Sequence, residues 1–164
     1  MRAPLAILSV FLSFTVLCCV SCSSNHAWPP PHAEVRAFLY NLDSEGGMHC
    51  VTNGHLDSSV VDTNGVRLTE RQVARFLAAV TGKHADHNVM GCYVPHHAYV
   101  FYDQKHRMTG WVELCFGCRN YRASSSSAPE WFDIYDLQDL SIELGLPVLK
   151  NEDDYLTLKK KDMR

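Results

Sequence analysis

The sequence predicts an α+β domain: a small antiparallel sheet of about four or five strands with two helices on one side. Three observations carry this. Two apolar segments, 98–103 and 109–114, flank a short polar turn in the manner of a β-hairpin. A capping box at Thr69-Glu70-Arg71-Gln72 opens a segment with Val73, Phe76, Leu77 and Val80 at helical spacing. A second helical segment within 130–144 places Leu137, Leu140 and Leu144 on one face, with Asp133 or Asp136 as its cap and Gly145 and Pro147 as its stop.

The remaining elements follow in chain order. Residues 34–42 form a strand in which Val35, Ala37 and Leu39 alternate with Arg36, Phe38 and Tyr40, so both faces are expected to be partly covered. Asp43-Ser44-Glu45-Gly46-Gly47 is turn chemistry, after which 48–51 is expected to return as a second strand. Residues 52–65 are rich in Asn, Gly, Asp and Ser, with 59–61 as a short strand. Gly82 ends the first helix and a polar loop leads to the hairpin. Residues 119–129, with four consecutive serines, read as a surface loop. Residues 150–164 read as a charged, fraying end, with 155–158 a candidate last strand. No internal repeat is present.

The N-terminus reads as a targeting segment. Arg2 precedes an almost wholly apolar run, 5–20, which is shorter than the roughly 20 residues a membrane span needs. Cys19-Val20-Ser21-Cys22-Ser23 resembles the lipobox of bacterial lipoproteins, with Cys19 standing where Leu is usual. That resemblance implies a signal peptide over 1–21, lipidation of Cys22 and, from Ser23, sorting to the outer membrane. Cleavage after Ser23 or a retained anchor are the alternatives, and location is then periplasmic or secreted. Residues 22–33, with Trp28 and three prolines, read as an extended tether, 34–150 as the domain, and 151–164 as a charged tail.

Composition narrows the partners. Fifteen Lys and Arg oppose 18 Asp and Glu, a formal net charge of −3, which argues against nucleic acid, a partner that demands a basic face. The single basic run, 159–161, reads as a solvated end. The expected partner is the membrane, through the N-terminal lipid, with the domain itself a monomer.

The chemistry gathers at the hairpin mouth. A four-residue turn makes paired residue numbers sum to about 211, setting His96 opposite Cys115 and Cys92 near Cys118. Three chemistries compete for these groups. Beyond Cys22 four cysteines remain, Cys50, Cys92, Cys115 and Cys118. An even count in an exported chain favours cystines, Cys92 with Cys118 or Cys115 and Cys50 with the remainder. Cys92, His96, Cys115 and Cys118 also make a tetrahedral Cys3His set for zinc, with His97 as alternative ligand, and the histidines and methionines nearby suit copper. Cys115-Phe116-Gly117-Cys118 finally has the spacing of a thiol–disulfide exchange pair, although no helix N-terminus follows to lower its thiols.

Pro95-x-His97-Ala98, Phe101-Tyr102-Asp103, Cys115-Phe116-x-Cys118 and Leu144-Gly145-Leu146-Pro147 together resemble a group of uncharacterised exported bacterial proteins with a Cys-Phe-x-Cys motif. The resemblance covers about half of the chain and implies kinship, with no activity to carry over. The expectation is therefore a membrane-tethered binding or accessory domain without catalysis or cofactor, its hairpin held by cystines. A zinc- or copper-binding protein and a thiol–disulfide redox accessory protein are the alternatives.

Overall fold

The computed structural model describes residues 27–42 and 48–162, with the side chains of 159–162 excepted. The leader, Cys22 and the turn expected at 43–47 lie outside the described residues.

The fold is α+β. Five antiparallel strands run in the order β4 (Val66–Arg67), β1 (Glu34–Leu39), β5 (His97–Tyr102), β6 (Met108–Cys115) and β7 (Asn120–Ala123). The β5–β6 hairpin closes in the register its sequence implies: His97 pairs with Leu114, Ala98 with Glu113 and Phe101 with Gly110, with an irregularity between Phe101 and Tyr102. Asp103 organises the turn by accepting from the Lys105 and Arg107 amides.

Helices α1 (Glu70–Thr81) and α2 (Ile134–Glu143) cover one face of the sheet. Thr69 and Gln72 complete the capping box of α1 reciprocally, and Asp133 caps α2 by accepting from the Asp136 amide. Phe76 stacks on Tyr99 at 4.5 Å, and Leu137 and Leu140 fill the same core. Between the helices, Arg75 bonds both Asp136 and Glu143.

The opposite face is covered as well, along β5 and from Phe38 onward in β1. Phe38, Tyr40, Ala98 and Val100 pack there with Cys50 and Val60. The segment carrying Cys50 does not return to β1 as a sheet strand. Instead β2 (Val51–Thr52) and β3 (His55–Leu56) form a hairpin of their own, and β4 takes the place beside β1. The strand expected at 59–61 is reduced to one bridge, between Val60 and Tyr40. Gly65, at φ +60°, makes the turn into β4. A β-carbon there would lie 2.6 Å from the Phe38 ring, so the turn demands glycine both for its conformation and for its close approach.

Three further expectations are corrected. The start of the loop expected at 119–129 is strand β7, whose four residues are too few to show a period. The segment expected to fray or to form a last strand is helix α3 (Glu152–Asp162). Glu152, Asp153 and Asp154 complement its N-terminal dipole, and Asn151 bonds Asp154 through both main chain and side chain. Tyr155 and Leu158, three apart, face Leu39 and Leu42 together.

The third correction concerns the tether. Residues 27–33 are a strap on the domain. Trp28 meets Phe101 edge-on at 5.7 Å and stacks on Phe132 at 6.0 Å, while its indole N–H donates to the Val80 carbonyl at 2.8 Å. That carbonyl lies in the last turn of α1, where no partner within the helix exists. The Asp133 amide serves the neighbouring Ala79 carbonyl in the same way. Pro30 is buried, above a site at Gly110 where a β-carbon would approach its ring to 2.7 Å.

Candidate functional site at the hairpin mouth

Beyond His97 and Cys115 the hairpin loses its ladder, because Pro95 has no N–H to give. The chain from Met90 to His96 still runs beside the turn that follows β6. The Met90 amide donates to the Cys118 carbonyl, and the His96 amide to that of Leu114. Cys92 and Cys118 are joined in a disulfide across this mouth, with α-carbons 5.8 Å apart and a sequence separation of 26.

The second expected bridge is not made. Cys50 and Cys115 are free and buried. Cys115 ends β6 beside the cystine. Burial pushes its thiol up, against the pull of backbone hydrogen bonds from Val94 and Cys118. Cys50 belongs to the core on the other face of the sheet, where burial and then the Glu113 carboxylate push its thiol up more strongly.

The two histidines play different parts, as adjacent strand residues do. His97 is buried; its Nε2 donates to the Pro147 carbonyl at 3.0 Å, and desolvation pushes it down to about 3, so it is neutral. His96 stacks on Tyr155 with centroids 3.8 Å apart. Its Nδ1 lies 2.8 Å from the Asn41 carbonyl and its Nε2 3.0 Å from a Glu152 carboxylate oxygen. Both partners are acceptors, so the ring makes both bonds when both nitrogens carry hydrogen.

Together the mouth and the start of α3 enclose a cleft of about 240 Å³. Its walls hold the three sulfurs, His96, the aromatic faces of Phe116 and Tyr155, and the opposite charges of Lys150 and Glu152. Cys92, His96, Cys115 and Cys118 thus come together as their spacing implied, but in a different chemical state from a metal set. Two sulfurs are spent on each other, and an acceptor lies within 3.0 Å of each nitrogen of His96. Among the described residues no group of three or more His, Cys, Asp or Glu is arranged to hold a metal.

Sequence reasoning missed Glu152, Tyr155 and Asn41, which reach His96 from more than 50 residues away. It also missed a buried carboxylate. Glu113 is fully enclosed on the second face of the sheet, accepting from the Cys50 amide at 2.7 Å, with His49 Nδ1 at 3.2 Å and the Tyr93 hydroxyl at 3.4 Å. The Tyr40 hydroxyl, also enclosed, has no hydrogen-bond partner among the described residues. The one available signal was weak: alternation put Glu113 on a face that an isolated hairpin would leave to water.

Comparison with known proteins finds no matching family model, curated protein or solved structure.

Proposed function

We propose that the chain is an exported, lipid-anchored binding or accessory domain that engages its partner through the cleft at the hairpin mouth and carries out no catalysis. The Cys92–Cys118 cystine carries this reading. It fixes one wall of the cleft covalently, opposite a wall made by helix α3. Such bonds persist in oxidising compartments, in keeping with the apolar leader and the lipobox-like Cys22. Aromatic faces with a few convergent polar groups are the usual lining of a recognition site. The free thiols are pushed up, the opposite of the depressed thiols that catalytic cysteines use. In this reading the domain carries no cofactor, is a monomer, and is held at the outer membrane by Cys22.

Two measurements test it. Intact mass of protein extracted from the envelope should show an acylated Cys22 and one cystine, and Cys22→Ser should release the protein from the membrane fraction. A photo-crosslinking residue in place of Lys150, beside the cleft, should give a discrete adduct in the native envelope. The same residue in place of Ile142, exposed on α2, should not. Equal adducts from both positions, or none from Lys150, would remove the cleft as the recognition surface.

A further inference from the structure

We propose that Cys115 and the Cys92–Cys118 cystine form a disulfide-exchange relay, which moves the cystine into the Cys115–Cys118 loop and releases Cys92 as a solvent-facing thiol able to make one stoichiometric mixed disulfide with an exported protein. The inference goes beyond the binding reading and does not rest on what fills the cleft.

Three sulfurs line one cleft, and they differ in exposure. Cys115 and Cys118 are 4% and 5% exposed, whereas Cys92 lies on the surface. Cys115 and Cys118 belong to one tight turn. The Cys118 backbone is hydrogen-bonded to the Cys115 sulfur, and the Arg119 amide closes the turn on the Phe116 carbonyl. Between them Gly117 faces open space: nothing lies within 4 Å of where its β-carbon would sit. Gly117 thus meets no packed neighbour on that side, while Phe116 stays anchored in the core against His97.

The step is an internal exchange with no net oxidation. Cys115 loses its proton to water in the cleft, and its thiolate attacks the Cys118 sulfur. The Cys115–Cys118 bond forms as the Cys92–Cys118 bond breaks, and the electron pair leaves on Cys92. That thiolate takes a proton from water or attacks the disulfide of another protein, forming a mixed disulfide and releasing one thiolate of the target.

Solvation eases the departure of Cys92, because a sulfur leaves faster when its thiolate is better stabilised. Burial penalises a thiolate at Cys115, while Cys92 meets water. The scarcity of Cys115 thiolate makes the step slow at neutral pH and faster as pH rises.

The test uses the intact protein, folded and without reductant, incubated with iodoacetamide at neutral and mildly alkaline pH, then digested and mapped. The expected labelled species carries its alkyl group on Cys92 and a Cys115–Cys118 cystine. Cys115→Ser should lower Cys92 labelling by at least about tenfold, and Cys50→Ser should leave it unchanged. The relay is overturned by label on Cys115 with Cys92–Cys118 intact, by Cys92 labelling that survives Cys115→Ser, or by no labelling of Cys92 at all. Because the wild-type map alone decides between the two cystines, misfolding of a variant would not blunt the test.

Discussion

The His96 and Tyr155 rings lie nearly parallel, 18° apart in plane with centroids 3.8 Å from one another. This contact fastens the last helix to the end of the sheet. Its surroundings are a carboxylate, a main-chain carbonyl and the edge of the cleft, so the helix and the candidate site are stabilised by the same few groups.

Replacing Tyr155 by Leu keeps apolar volume but removes the stack and the hydroxyl that accepts from the Leu149 amide at 3.0 Å. The expected loss is about 1–2 kcal/mol. Hydrogen exchange should speed up over α3 while α1 keeps its protection. Glu152→Ala should cost less, about 1 kcal/mol at most, because that carboxylate is 43% exposed and screened by water.

His97 makes stability depend on pH. Its native pKa of about 3 lies below the ordinary value of 6.5. As pH falls through that ordinary value the unfolded chain takes up a proton that the folded chain refuses. The contribution is thus whole above about pH 6.5 and declines down to about pH 3, by a few kcal/mol. Urea unfolding midpoints should show a steeper loss between about pH 6.5 and about pH 4 for the parent protein than for His97→Gln. Equal slopes would mean that His97 takes up its proton as readily in the native state as in the unfolded chain.

Trp28 separates a strap from a spacer. Trp28→Ala should lower stability by about 3 kcal/mol through lost core contact, and Trp28→Phe by about 1 kcal/mol through the unpaired Val80 carbonyl. Thermal melts of the two variants measure this. A true spacer would leave both melting temperatures unchanged.

The Cys92–Cys118 bond closes a loop of 26 residues, worth about 3 kcal/mol by the chain-entropy relation. The Cys92→Ser/Cys118→Ser double variant should lose about that much in denaturant titrations, whereas Cys50→Ser, which breaks no bridge, should lose less than half as much.

Glu113→Ala strips the buried Cys50 amide of its acceptor and should cost about 1–3 kcal/mol. Glu113→Gln retains an acceptor oxygen and should recover most of that loss. Comparing the two by chemical denaturation separates the hydrogen bond from the charge.

Elements built from neighbouring residues could be read directly from the chain. The Thr69–Gln72 box, the Phe76 and Val80 stripe, an Asp cap at 133 or 136 and the register of β5 on β6 depend on spacings of two to four residues or on one turn length. Backbone geometry imposes those periods whatever the rest of the molecule does. The same logic brought Cys92 close to Cys118. It did not choose between Cys118 and Cys115, because both sulfurs lie within reach of the mouth.

Tertiary structure decided the rest. Glu152 meets His96 across 56 residues, Trp28 meets Val80 across 52, and Cys50 meets Glu113 across 63. No period links such pairs. Each forms because packing has left a donor or acceptor away from water, and that need exists only once the layers have assembled.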